Sequence, residues 1–439
     1  MNSPGPTAAR TATAPQADTD LTLSGPEIRV LDLIDDQSLM ASLSALIAIP
    51  SVGGSDAEVA IQHWLADRLA ETGLSTDLWS FDLDALAADP TFPGVEVTRR
   101  EAWGLVGFSR DDEPSALVLQ GHVDVVPAGD RTAWATDPFT PVVVGDNVLG
   151  RGACDMKAGV AAILAAAQAV QRSDVALGRG FSVHFGIGEE DGGLGAFGTL
   201  ARGHTGEACI IPEPTGLQLV TANAGALTFQ IEVPGLATHG STSYAGSSAI
   251  DSYLAIHKAL ADLQADRNRH PEPLLAHLPI AYPLSVGRVT AGDWPSSVPD
   301  LLVAQGRYGL RIEEDPNEAR QELEQVVQFV AAQVPYLRDH PPLVTWPGGQ
   351  FHGGHLPAGH DLRKLVQQAH ASATKMPLIG EFGVPFGSDL RLYAGAGVPT
   401  LHYGPGDLRL AHGPNELVPL SEVVVTARVL ALAILRACR

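Results

Sequence analysis

Short apolar runs alternate with longer amphipathic segments along most of the chain. Residues 36–49 and 56–72 repeat apolar positions with the period of an α-helix. Continuously apolar runs, which are typical of buried strands in a parallel sheet, occur at 115–120, 181–188 and 209–215. Helices that alternate with buried strands predict an α/β fold.

The pattern changes after residue 223. Strand-like segments are predicted at 225–233, 284–290, 301–310 and 343–346, and helices at 247–263 and 317–333. This β-α-β-β-α-β order is that of a small ferredoxin-like α+β unit. With 439 residues, the chain is long enough for more than one domain.

Composition excludes several classes of partner. A formal net charge of −22 argues against nucleic acid, since phosphate binding needs a basic surface. Lysine is scarce and no run of eighteen apolar residues occurs, so no membrane partner is expected. The three cysteines, Cys154, Cys209 and Cys438, form no C-x-x-C motif and suit a reducing cytoplasm. Residues 1–20 lack an apolar core and are predicted to be a disordered tail, not a signal peptide.

Asp155 stands out because a glycine-rich turn places it just before an alanine-rich helix, where its carboxylate would be held rigidly. A helix cap is the simpler interpretation of such an acid. His122 and Asp124 follow a buried strand and are two residues apart, so they face the same way on an extended chain. An Asp in that position can fix the tautomer of a metal-binding histidine.

Further acids follow the other strands. Three adjacent acids, Glu189 to Asp191, would repel one another unless a cation lies among them. The candidate ligands at strand ends and adjoining loops are His122, Asp155, Glu189, Glu190, Glu213 and His412. Two histidines and several carboxylates without a thiolate suit zinc or a similar cation, and the count fits two metal ions that share one acid.

One motif points elsewhere. Residues 193–198 match G-x-G-x-x-G, the dinucleotide-binding pattern, but three acids precede it where a pyrophosphate would lie. We therefore do not expect a nucleotide site. The sequence contains no G-x-S-x-G motif, so it does not indicate a serine nucleophile.

Taken together, the motifs resemble the M20 metallopeptidase family, the co-catalytic zinc amidohydrolases that include acetylornithine deacetylase, succinyl-diaminopimelate desuccinylase, carboxypeptidase G2 and the aminoacylases. The matching segments, in the order in which the family has them, are residues 121–129, 134–141, 150–159, 188–196, 211–215, 235–241, 386–391 and 402–416. They cover most of the chain.

The resemblance implies two divalent metal ions, zinc in the first place, with cobalt or manganese as alternatives. Asp155 would bridge the two ions. His122 and Glu213 would complete one metal site, and Glu190 and His412 the other.

It also implies the catalytic roles. Glu189 would be the general base that activates a metal-bridging water, and Asp124 would hold His122. His239 would stabilise the oxyanion, reaching the site of a neighbouring subunit in dimeric members. The peptide bond between Asp155 and Met156 would be cis.

The implied fold is a zinc-peptidase-like α/β catalytic domain with a mixed, mostly parallel sheet flanked by helices. The catalytic domain would comprise residues 21–222 and 351–439. An inserted ferredoxin-like lid and dimerisation domain would occupy residues 223–350, with a homodimer formed through the lid.

The implied activity is hydrolysis of the amide bond of a small N-acyl amino acid or related N-acyl amine. A dipeptidase or carboxypeptidase of the same family is the alternative, and a non-catalytic binding protein on this scaffold is a more distant one. Arg288, Arg307 and Arg311 are candidates for binding a substrate carboxylate, although each could equally be a surface arginine.

Overall fold

A computed structural model describes residues 22–110, 114–377 and 380–439; the predicted disordered tail lies outside these residues. Within them the α-helices, numbered α1 to α12 in chain order, are Gly25–Leu31, Asp36–Ala48, Asp56–Thr72, Leu83–Ala87, Ala158–Arg172, Leu194–Ala201, Ala249–Arg267, Pro316–Ala331, Pro335–Asp339, Leu362–Thr374, Leu390–Gly395 and Leu420–Ala437. The strands, β1 to β17, are Ser75–Ser80, Trp103–Phe108, Leu117–His122, Val142–Val144, Asn147–Leu149, Phe181–Gly186, Cys209–Ile211, Val220–Asn223, Gly225–Pro234, Leu284–Ala291, Leu301–Leu310, Leu343–Thr345, Gln350–Phe351, Gly354–His355, Phe382–Val384, Thr400–His402 and Leu417–Pro419.

The larger sheet is mixed, as expected for the α/β class. Its strand order is β1-β2-β6-β3-β7-β16-β8-β14, and β15 pairs with β8. The central strands β6, β3, β7 and β16 run parallel, so their carboxyl ends meet at one edge. All residues of β3 and β6 are buried, as expected for central strands that are covered on both faces.

Strand β3 is displaced from its predicted position. It spans Leu117–His122 rather than 115–120, so His122 is its last residue and pairs with Gly186 of β6. The parallel ladder therefore extends as far as a candidate ligand.

Helix α5 forms the centre of the main core. It packs against α2, α3 and α12, and its alanines allow this close approach. The helical stretch Ala153–Arg172 is long and apolar enough to cross a membrane, but 89% of its apolar window is buried inside the protein. Its hydrophobicity is that of a core helix.

A second sheet follows between residues 225 and 351. Its strands are antiparallel in the order β10-β11-β9-β12, with β13 also pairing with β9. Helices α7 and α8 pack against each other, and their apolar residues share one core with this sheet. The element order is that of the predicted ferredoxin-like unit. The division of the chain into domains stays a prediction.

The glycines of the G-x-G-x-x-G motif have a packing role. A Cβ on Gly195 would lie 2.3 Å from the backbone nitrogen of Ile187, and one on Gly198 would lie 2.4 Å from the ring of Phe81. At Gly195, helix α6 therefore lies too close to the backbone at the end of β6 for any residue with a side chain. This accounts for the motif without a nucleotide.

Candidate metal centre

The candidate ligands converge at the carboxyl edge of the parallel strands. His122 ends β3, Glu189 and Glu190 follow β6, and Glu213 follows β7. Because β6, β3 and β7 are neighbours, these side chains are delivered side by side. Asp155 comes from the turn that precedes α5.

Asp155 lies between two histidines, one for each of its oxygens. His122 Nε2 is 3.1 Å from Oδ1, and His412 Nε2 is 3.5 Å from Oδ2. Glu213 Oε1 is 3.9 Å from His122 Nε2, and Glu190 Oε2 is 2.9 Å from His412 Nε2. The arrangement is two groups of nitrogen and oxygen donors that share one carboxylate.

The turn that carries Asp155 differs from a helix cap. The peptide bond between Asp155 and Met156 is cis, as predicted. The Asp155 carboxylate faces the histidines, while its backbone N–H donates to Glu416 Oε1 at 3.1 Å. The helix-cap interpretation is therefore wrong.

Asp124 joins two of the converging segments. Its Oδ1 lies 3.5 Å from His122 Nδ1, and its backbone oxygen lies 3.1 Å from the same nitrogen. Its two carboxylate oxygens also accept the backbone N–H groups of Glu189 and Glu190, at 3.3 and 3.2 Å. Fully buried, Asp124 orients His122 so that Nε2 points towards Asp155.

The carboxylates around His122 and His412 favour the protonated form of each ring. Hydrogen bonds to Asp155 and Glu190 raise the pKa of His412 to about 11. Burial lowers the pKa of His122, but its contacts with Asp124 and Asp155 outweigh burial and raise that pKa well above its usual value. Burial also opposes ionisation of Asp155, yet both histidines together hold its pKa below the usual range.

Glu189 is buried and makes no comparable contact with a histidine. Burial raises its pKa well above the usual value, and the charges of Asp389, Glu213 and Glu190 raise it further against the opposing charge of His122. A carboxyl group with a raised pKa at a cavity wall is suited to accept and return a proton near neutral pH. Burial likewise raises the pKa of Glu190 and Glu213.

A cavity of about 500 Å³ opens above these residues. Asp155, Glu189, Glu190, Glu213 and His412 form its floor. Residues of the second sheet and of neighbouring loops, including Ala226, Thr228, Arg307, Phe351 and Phe386, form the rest of its wall. Its volume suits a small molecule.

Of the three candidate arginines, Arg307 lines this cavity. Its Nη2 donates to the backbone oxygen of Pro385 at 2.7 Å, and burial lowers the pKa of Arg307 to about 10. Arg288 is exposed on β10, and Arg311 contacts Glu314. Of these three arginines, only Arg307 therefore lies where a substrate could contact it.

His239 does not join the cluster within one chain. It is an exposed residue of the second sheet's loop, where its Nδ1 contacts Ser241 Oγ at 2.7 Å, and it is not among the residues that line the cavity. A role in the site would require a second subunit.

The third acid of the 189–191 run has a different partner from the one expected. Asp191 faces Arg99, with Oδ1 and Nη2 2.9 Å apart, and Arg99 also contacts Glu58 at 2.8 Å. The cation beside Asp191 is thus a buried guanidinium. Sequence reasoning missed Arg99 because it lies in an irregular segment 92 residues away, without a motif.

Comparison with known proteins identifies the family. Residues 118–436, well over half of the chain, match the model of "Peptidase family M20/M25/M40". The chain belongs to this family. The predicted resemblance is therefore confirmed, and the histidine and carboxylate cluster lies within the matched region.

Two relatives of this chain are deacylases by name. An N-formyl-4-amino-5-aminomethyl-2-methylpyrimidine deformylase of Bacillus subtilis is 26% identical over 84% of this chain and 87% of its own length. A succinyl-diaminopimelate desuccinylase of Polynucleobacter necessarius is 25% identical over 87% of this chain and 94% of its own.

Solved structures of peptidases share the fold of this chain. Human carnosine dipeptidase 1 superposes with a TM-score of 0.72 at 16% identity, covering 94% of this chain and 99% of its own. A tripeptidase of Staphylococcus aureus gives 0.68 at 19% identity, covering 93% and 100%. At these identities the likeness establishes the fold alone, and it confirms the predicted fold class.

The donor set suits divalent cations. His122, Asp155 and Glu190 each offer a ligand atom within 4.8 Å of the others, and all three are at least partly buried. Several carboxylates packed together without a matching number of basic side chains are costly unless a cation neutralises them. The M20 family and this cluster both indicate binding of a divalent metal.

Proposed function

We propose that this chain is a metal-dependent hydrolase that cleaves the amide bond of a small N-acyl amino acid or related N-acyl amine. The observation that carries the proposal is the placement of Asp155 between His122 and His412, with Glu189 buried at the wall of the same cavity. The deacylase names of the two curated relatives support the reaction class.

We assign two metal ions to the cluster. Asp155 would bridge them, with His122 and Glu213 on one side and Glu190 and His412 on the other, in agreement with the distances between these side chains. Bound divalent cations, zinc in the first place, would polarise the amide carbonyl and lower the pKa of the attacking water.

The remaining steps belong to the chain's own residues. Glu189 accepts the proton of the attacking water and returns it to the leaving nitrogen, which its raised pKa favours. Asp124 keeps His122 oriented and fixes the backbone of the turn that carries Glu189.

Arg307 supports an acidic substrate. Among the described residues no carboxylate pairs with its guanidinium, which lines the cavity. Its Nη2 donates to the Pro385 backbone oxygen, and its remaining N–H groups can reach a ligand. A bidentate bond to the α-carboxylate of an N-acyl amino acid would match this geometry.

The proposed second subunit has a candidate surface on the second sheet. Strand β10 is an edge strand, and the apolar side chains of Ile250, Leu254, Val289 and Trp294 are exposed near it. Pairing through this surface would cover the apolar patch and could bring His239 to the neighbouring site. Replacing Leu254 with Glu should convert a homodimer into a monomer in light scattering, whereas Phe329→Glu, an exposed position on α8, should not.

The decisive experiment combines metal content with substrate turnover. Wild-type protein should hold about two zinc ions per chain and hydrolyse N-acetyl, N-succinyl or N-formyl amino acids. Glu189→Gln should retain the metal and lose at least about a hundredfold in kcat. His412→Ala should lose one of the two metal ions, while His355→Ala, a similarly exposed histidine beside Glu313, should lose none.

The alternatives give different results in the same assay. Turnover of dipeptides but not of N-acyl amino acids would indicate the peptidase. Turnover of N-acyl amines without a carboxylate, unaffected by Arg307→Met, would contradict the acidic substrate. Metal bound without any hydrolysis would indicate a binding protein, and no metal would refute the mechanism.

We also propose a cytoplasmic location. The three cysteines are free and buried, which suits a reducing compartment.

A further inference from the structure

Glu416 is a buried acid without an assigned role. It is 1% exposed, and its carboxylate receives four hydrogen bonds from one turn. Oε2 accepts from Arg151 Nη1 at 2.7 Å and from the N–H of Gly152 at 3.0 Å. Oε1 accepts from the N–H groups of Cys154 and Asp155 at 2.8 and 3.1 Å.

These donors belong to the turn that presents the bridging carboxylate. Gly152 has a φ of +77°, which a side chain would strain, and a Cβ there would lie 2.5 Å from Val125. The turn precedes α5, so the helix ladder cannot use its N–H groups. Glu416 satisfies them from a segment more than 260 residues away.

Arg151 extends the connection to two further segments. Its Nη2 lies 3.2 Å from the backbone oxygen of His412 and 3.4 Å from that of Pro127. The guanidinium also stacks on Trp134, 5.1 Å from the ring centre. The buried ion pair of Arg151 and Glu416 thus contacts all three segments that carry His122, Asp155 and His412.

His412 depends on such support. Its φ is +62°, a conformation that is uncommon for residues other than glycine and that persists only where the surroundings hold it. Glu416 lies four residues further along, and its own backbone oxygen accepts the N–H of Gly150 at 3.0 Å. Backbone and side chain of Glu416 therefore both fasten the His412 segment to the Asp155 turn.

We propose that Glu416 and Arg151 are positioning residues that set the separation of Asp155 and His412 before metal binds. The inference rests on the metal site of the proposed function. Neither side chain touches the reacting atoms; both act through the backbone of the two ligand-bearing segments. Loss of the pair should therefore weaken metal binding by more than its effect on folding explains.

A matched control separates positioning from stability. Glu27 is also a buried glutamate. Its carboxylate pairs with Arg436 at 2.8 Å and accepts the backbone N–H of Ser24 at 2.7 Å. It lies on α1 and pairs with a residue of α12, and it is not among the residues that line the cavity at the candidate ligands. E27Q therefore reproduces the chemical change of E416Q without touching the site.

The experiment compares E416Q and E27Q with the wild type in three measurements. In metal-free protein, hydrogen exchange followed by mass spectrometry should be faster across residues 150–157 in E416Q only. Zinc affinity by competition with a chelator should fall about 10–100-fold in E416Q and stay within about twofold in E27Q. Thermal unfolding of the metal-free proteins should show a loss for both variants.

A zinc affinity of E416Q within about twofold of the wild type, with unchanged exchange at 150–157, would overturn the inference. If E416Q does not fold, R151K replaces it in the test, because one ammonium group cannot reach Glu416, His412 and Pro127 together. R151K should bind zinc about tenfold more weakly than the wild type. Wild-type zinc affinity in R151K would overturn the inference. A failure of the proposed function would give a different result, because wild-type protein would then bind no zinc. The exchange comparison in metal-free protein would still decide whether Glu416 holds the turn in place.

Discussion

Loading the metal-free protein with a divalent cation should release protons, and the structure sets their number. His122 and His412 are held between carboxylates, which raises the pKa of both and takes that of His412 to about 11. In the metal-free protein both shifts therefore favour the protonated ring. Metal coordinates neutral imidazole, so each histidine must lose its proton when a cation binds.

We expect about two protons per chain when both sites fill, one from each histidine. Glu190 and Glu213 could add to this number because burial raises the pKa of both. The sign follows from linkage. A raised histidine pKa stabilises the metal-free fold below the unfolded value of about 6.5, and this contribution is lost as pH rises through the folded value. Because protons compete with zinc for the ring nitrogens of both histidines, zinc affinity should increase with pH above neutrality.

Titration calorimetry in two buffers with different ionisation enthalpies measures the release directly. The slope of apparent enthalpy against buffer enthalpy gives the proton count. His412→Ala should reduce that count by about one, whereas His355→Ala should leave it unchanged. Zinc binding with no proton release near pH 7.5 would refute the protonated state of the two histidines in the metal-free protein.

Three further predictions concern the supports of the site. Gly195→Ala places a methyl group 2.3 Å from the Ile187 nitrogen and should cost about 1–3 kcal/mol in urea unfolding. Gly395→Ala, whose methyl group would meet no other described segment within 4 Å, should cost less than about 1 kcal/mol. Arg99→Met leaves two buried carboxylates unpaired and should cost about 3–5 kcal/mol in the same assay; a loss below about 1 kcal/mol would contradict this. Asp124→Asn should weaken zinc binding about 10–100-fold while the protein remains folded, and wild-type affinity would show that Asp124 does not orient His122.

Local patterns were sufficient for much of the fold. The predicted helix at 56–72 and strand at 301–310 match the structure, because each has a clear period and a clear end. The shift of β3 by two residues arose because Gly121 and His122 are not typical strand residues; they join the strand only through pairing with β6. Tertiary context decided that boundary.

Local patterns were less informative about the surroundings of the site. Asp191 was grouped with Glu189 and Glu190 because all three are adjacent, but Arg99 turns it away from the cluster. The same limit applies to Arg307, which the sequence could not separate from two other arginines until the cavity wall was known.

By itself, the sequence determined the family, the class of fold and the residue types that a divalent metal prefers. These follow from motifs and periodicities that need only neighbouring residues. The tertiary structure alone decided which charges meet. Arg99 reaches Asp191 across 92 positions, and Glu416 reaches the Asp155 turn across 261. Such contacts leave no local pattern, because a buried charge needs a partner in space and can take it from any part of the chain.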